Sequence, residues 1–231
     1  MKHGRAWFLL LLLPMLTLGS AAAQATRSVF LEKLTSPEVA AALASGTTTI
    51  IIPVGGTEQS GPHLALGKHN LRVRVLAGRI AAQLGQTLVA PVVAYVPEGR
   101  ADPPTEHMRF AGTISIPASA FEAVLEGATR SVWQHGFRDV VLIGDHGGYQ
   151  ASLQAVAARV RPTARQAGAR LHFVEAYYRA AQGPYGDLLK AQGLDTVSGE
   201  VAKVKVGREP HGLTVWPQPG RYSLGHTGNL R

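Results

Sequence analysis

Nine histidines occur in this 231-residue chain, and four of them (His63, His69, His107 and His146) fall in three short segments that also carry carboxylates. Segment 55–70 (GGTEQSGPHLALGKHN) holds Glu58; segment 97–110 holds Glu98, Asp102, Glu106 and His107; segment 144–149 (GDHGGY) holds Asp145 and His146. Imidazole nitrogens and carboxylate oxygens are the donors that suit zinc or another divalent transition metal. The glycines beside them let the backbone turn sharply and leave room for a ligand. A lone loop histidine more often caps or hydrogen-bonds than ligates, but three segments with both donor types point to one site if the fold brings them together. Neither HExxH nor HxH occurs, so spacing along the chain does not by itself define a ligand set. With no cysteine, thiolate metal sites, iron–sulfur clusters, disulfides and a thiol nucleophile are all excluded.

The elements that must position these segments follow from periodicity. Residues 47–54 (TTTIIIPV), 87–96 (TLVAPVVAYV), 139–143 (DVVLI) and 170–174 (RLHFV) are β-branched or apolar runs bounded by turn formers, and each reads as a strand, with Pro91 pointing to an edge or bulge in the second. Residues 70–84, 118–135 and 149–166 read as helices long enough to connect parallel strands. Alternation of strand and helix predicts an α/β fold, a layered sandwich around a mainly parallel sheet. Ligands in such sheets bind outside the carboxyl ends of the strands, where segments 55–70 and 144–149 begin.

The N-terminus has its own logic. Lys2 and Arg5 precede an apolar run over 6–18, interrupted by Pro14, and then small residues through Ala25. This is the pattern of a cleavable secretory signal over 1–25, cut after Ala23 or Ala25, and the run is shorter than the roughly 20 residues that span a bilayer. The expectation is a periplasmic or secreted protein, free of the membrane after cleavage. The formal net charge of +8 suggests an anionic partner until it is located. The leader removes +2, and segment 201–231 holds Lys203, Lys205, Arg208, Arg221 and Arg231 against Glu209, another +4, leaving +2 for the body. With no nucleic-acid-binding motif in the chain, no nucleic-acid partner is expected.

Three ordered motifs carry a resemblance. Residues 53–70 (PVGGTEQSGPHLALGKHN), 106–116 (EHMRFAGTISI) and 136–148 (GFRDVVLIGDHGG) are similar to three successive signatures of the creatininase (creatinine amidohydrolase) family, and the likeness spans about 47–166. The resemblance implies a three-layer α/β/α sandwich, divalent-metal-dependent hydrolysis of non-peptide C–N bonds in small amides, and a homo-oligomer, often a hexamer. Glu58 and His146 fall on metal-ligating positions of the family. Ser60 stands where a ligand histidine is usual, and His69 where a bridging aspartate is usual. A carboxylate can span two cations, whereas a neutral imidazole binds one through one nitrogen. The expected ligands are therefore Glu58, His69 and His146, holding one ion or an altered pair, most simply zinc or manganese. Ser60, His63, Asp145, Gly147 and Gly148 are expected in the substrate or supporting shell, with Asp145 orienting a histidine.

The implied reaction is attack of metal-activated water on an amide, with Glu106 and His107 as acid–base candidates and His211 in the place of a further family loop histidine. Beyond about 175 the likeness thins. Residues 26–200 form the expected creatininase-like domain, while 201–231 show neither helical nor strand periodicity and read as a divergent or truncated end. The alternative reading is a catalytically impaired scaffold of the same fold, acting as a periplasmic ligand-binding or assembly protein.

Overall fold

A computed structural model of the protein describes residues 28–61 and 64–191. The leader, His63, His211 and segment 201–231 lie outside these residues.

The chain enters as α1 (Ser36–Ala44), whose Glu38 carboxylate accepts from the Thr35 N–H and hydroxyl, both at 2.7 Å, closing the helix start. It continues as β1 (Thr49–Val54), α2 (Lys68–Leu84), β2 (Thr87–Val89), α3 (Ala118–Gln134), β3 (Asp139–Gly144), α4 (Gln150–Gln166), β4 (Arg170–Phe173) and α5 (Glu175–Ala191). The four strands are all parallel, in the order β2-β1-β3-β4. β2 is shorter than the run 87–96 suggests. Pro91 offers no N–H, and beyond it the chain bridges to β1 at Val93, opposite Val54, and to Ser115 at Val96.

Alternation along β1 divides the core. Ile50, Ile52 and Val54 pack with Phe121 and Leu125 of α3 and Leu153, Val156 and Val160 of α4, whereas Ile51 packs with Val73, Ala77 and Ala81 of α2 and Tyr177 of α5. Both faces are thus covered, which is why the central strands are continuously apolar. Each fully buried Ile or Leu here contributes on the order of 1.5–3 kcal/mol. The result is the three-layer α/β/α sandwich. No helix among the described residues is long and apolar enough to cross a membrane.

The strand order places a switch point at the centre. From β1 the chain leaves toward β2, and from β3 it leaves the opposite way toward β4, so their carboxyl ends diverge and open a crevice. One side chain rivets the two ends beneath it. The buried Tyr149 hydroxyl lies 2.9 Å from the Val54 carbonyl and 2.6 Å from that of Gly55, and accepts from the Asp145 and His146 amides, both at 3.0 Å. Gly55 is required by proximity, since a Cβ there would stand 2.9 Å from the Asn70 Cα.

Candidate metal centre

Glu58 stands at the middle of the crevice, 2% exposed, and its two oxygens have different neighbours. Oε1 receives Lys68 Nζ at 2.7 Å, His69 Nε2 at 2.9 Å and the Ser60 hydroxyl at 3.1 Å. Lys68 Nζ also contacts the Ser60 hydroxyl. Oε2 faces two imidazoles, His107 Nε2 at 3.1 Å and His146 Nε2 at 3.5 Å, without a hydrogen bond to either. On its other side His146 turns Nδ1 toward Glu98 Oε2 at 3.5 Å.

α2 supplies the Oε1 side because Lys68 and His69 stand four and three residues before Arg72, spacings that bring each beside it on the helix surface. Behind them Asp145, 0% exposed, gathers the charges. Its carboxylate accepts from Arg72 Nε at 2.8 and 3.0 Å, from the Tyr177 hydroxyl at 2.8 Å and from His69 Nδ1 at 2.7 Å. Both His69 nitrogens therefore point at carboxylate oxygens, one of Asp145 and one of Glu58. His107 differs. Its Nδ1 lies 3.0 Å from the Gln59 carbonyl, a contact that needs the proton on Nδ1, so in the neutral ring the Nε2 lone pair is the one that faces Glu58.

Glu58, Glu98, His107 and His146 each present a ligand atom within 4.8 Å of the others. Glu58 Oε2, both Glu98 oxygens and His146 Nδ1 are buried without a hydrogen-bond partner. Unpaired buried groups cost about 1–3 kcal/mol each, so four around one point are what a cation there would relieve. Two carboxylates and two imidazoles fit zinc or manganese.

The electrostatics agree with that placement. Burial, and then the Glu58 charge beside it, push the Glu98 carboxyl up to about 9. Burial pushes His146 down to about 4, against the attraction of Glu58 and with help from the charges around His69 and Lys68. Burial would also raise Glu58, but the His69 hydrogen bond and the Lys68 and His146 charges outweigh it and hold the carboxyl well below the usual range. Burial lowers Lys68.

Of the residues singled out from sequence, Glu58, His107 and His146 meet in this group. His69 stands between Glu58 and Asp145, Ser60 lies beside Glu58 and Lys68, and Gly147 packs so closely on Tyr178 that a Cβ would come 2.8 Å from its hydroxyl. Glu106, with a backbone φ of 49°, and Gly148 border an adjoining cleft of about 520 Å³. Glu98, Lys68, Arg72, Tyr149 and Tyr177 carried no assigned role in the sequence reading. The helical spacing of Lys68, His69 and Arg72 was a usable signal; for Tyr177, 32 residues from Asp145, none existed.

The creatininase family profile, described as creatinine amidohydrolase, matches residues 32–199. The chain is 37% identical over 131 residues to the mycofactocin precursor peptide peptidase of Mycolicibacterium smegmatis, covering 54% of this chain and 50% of that protein. It is 29% identical over 121 residues to the creatinine amidohydrolase of Pseudomonas putida, covering 52% and 46%. It thus spans about half the length of these curated relatives. A crystal structure of creatinine amidohydrolase superposes with a TM-score of 0.56 at 25% identity, covering 64% of this chain and 58% of that one. Two further solved creatininases, at 24% and 22% identity and TM-scores of 0.56, are described as Mn and Zn–Zn forms; they cover 73% and 75% of this chain and 64% and 67% of theirs.

Proposed function

The chain belongs to the creatininase family, and from that premise we propose that it is an exported metal-dependent amidohydrolase that cleaves a C–N bond in a small amide or peptide end. The observation that carries this reading is the convergence of Glu58, Glu98, His107 and His146 with their unpartnered ligand atoms. These four would hold a zinc or manganese ion, which when bound would supply a polarised carbonyl and an acidified water.

The chain's own residues do the rest. His69, backed by Asp145, and Lys68 fix the Glu58 carboxylate from the Oε1 side, so that Oε2 is turned to the ligand group. Because the Oε1 side is filled by Lys68 and His69, the expected stoichiometry is one ion per chain. Glu106, which lines the cleft beside the group, would carry a proton to the departing nitrogen. The 1–25 leader supports export, and assembly into a homo-oligomer belongs to the same proposal.

The test pairs elemental analysis with hydrolysis of a panel of cyclic and linear amides by zinc- and manganese-loaded protein. One ion per chain and turnover that both vanish in Glu58→Ala are expected. Two tightly held ions would overturn the single-ion arrangement. Ion binding without turnover on any amide would favour the impaired scaffold instead.

A further inference from the structure

The cleft of about 520 Å³ beside the ligand group is the size of a small-ligand site. Glu98 and His146 border it, so it opens onto the proposed reaction centre. Arg100 and Glu106 also line it, as do Pro117 and Ala118 at the start of α3.

Two features of this lining favour an anion. Arg100 is exposed, and among the described residues no carboxylate pairs with its guanidinium. The 17-residue α3, whose first residue Ala118 also lines the cleft, begins without a side-chain cap, and its first turn contains no acidic residue to answer the positive end of the helix dipole. The cleft also runs onto the ligand group itself. Glu98, 1% exposed, borders it with both oxygens unpartnered. The Arg100 lip is also fixed rather than loose. The Arg100 N–H donates to the Thr105 hydroxyl at 2.8 Å, the Thr105 N–H returns to the Arg100 carbonyl at 3.1 Å, and Gly99 has φ +116° with the Thr105 carbonyl 2.4 Å from where a Cβ would stand.

We propose that this cleft selects amides carrying a free carboxylate, which Arg100 and the α3 N-terminus hold while the scissile bond lies toward Glu98 and His146. This rests on the amidohydrolase reading and narrows it. A peptide end has such a carboxylate, whereas creatinine, a small neutral cyclic amide, does not, so the chain is expected to disfavour creatinine.

The experiment is calorimetric binding of N-acetylglycine and of N-acetylglycinamide, which differ only in carboxylate against carboxamide, to the zinc-loaded full chain and to Arg100→Ala. Tighter binding of the carboxylate by about 10-fold or more is expected in the parent, as for a charge-assisted pair, falling to within about 2-fold in the variant. A preference that survives Arg100→Ala would mean that the ion itself takes the carboxylate and would overturn the proposal. So would failure of the parent to bind either probe, or equal binding of both. Arg100 is exposed, and circular dichroism verifies that its variant is folded. Turnover is read separately: a preference without hydrolysis of any amide sinks the amidohydrolase reading and leaves the cleft assignment standing, and hydrolysis without a preference does the reverse.

Discussion

Asp145→Asn tests whether the site's foundation is structural as well as chemical. Asp145 is 0% exposed and accepts four hydrogen bonds from three side chains, of which Arg72 is 8% and His69 3% exposed. Asparagine keeps the shape but offers a single acceptor oxygen, and its NH₂ must face a donor. The buried Arg72 then loses the Asp145 charge, and breaking a buried pair from one side costs about 3–5 kcal/mol. That is a large share of the roughly 5–15 kcal/mol that holds a domain together. For a chain of this size it corresponds to a melting temperature lower by about 6–20 °C.

The surface pair Asp139–Arg170 is the internal control. Its contact is shorter, 2.6 Å, but Arg170 is 69% exposed, so solvent screening wins over distance and Arg170→Ala should cost less than about 1 kcal/mol. Urea unfolding followed by circular dichroism measures both. A loss under about 1 kcal/mol for Asp145→Asn, or equal losses for the two variants, would refute the reasoning.

Two further outcomes follow from the ligand group. Metal-free protein should lose stability as pH rises from about 6.5 to 9: folding takes up a proton on Glu98, whose carboxyl moves from 4.5 to about 9, while the opposing contribution of His146, present above its unfolded value of 6.5 and lost toward 4, is already complete. The slope is at most about 1.4 kcal/mol per pH unit, and urea midpoints in chelator that stay flat or rise over this window would contradict it. Glu98→Gln should weaken zinc binding by more than the roughly 10–100-fold that outer partners of a metal site are worth, measured by competition with a chromogenic chelator; unchanged affinity would remove Glu98 from the ligand set.

How much of this could be read from the sequence differs by element. The β-branched run at 49–54 and the helices 118–134 and 150–166 were legible because period and length agree. α1, short and alanine-rich, and α5, interrupted by Gly183 and Pro184, left no comparable signal. At the site, Glu58, His107 and His146 stood out as polar residues in glycine-bearing loops. Glu98 was visible only as one of three carboxylates in segment 97–110, and its importance comes from burial beside Glu58, which no local pattern encodes. His69 shows the limit most clearly. Its type suits a ligand, but Asp145, 76 residues away, takes one nitrogen, and Glu58 takes the other.

The Tyr149 rivet divides the site into halves of unequal stiffness. Glu58 and His146 extend from strand ends joined through one hydroxyl, so they cannot separate without breaking bonds at the base of the sheet. Glu98 and His107 flank the exposed stretch 100–106, which carries the lip of the cleft. Sequence change that alters recognition is therefore open to one bank of the crevice. The same asymmetry gives descendants of this chain a way to change what they recognise, by rewriting 100–106, while the opposite bank preserves the reaction centre.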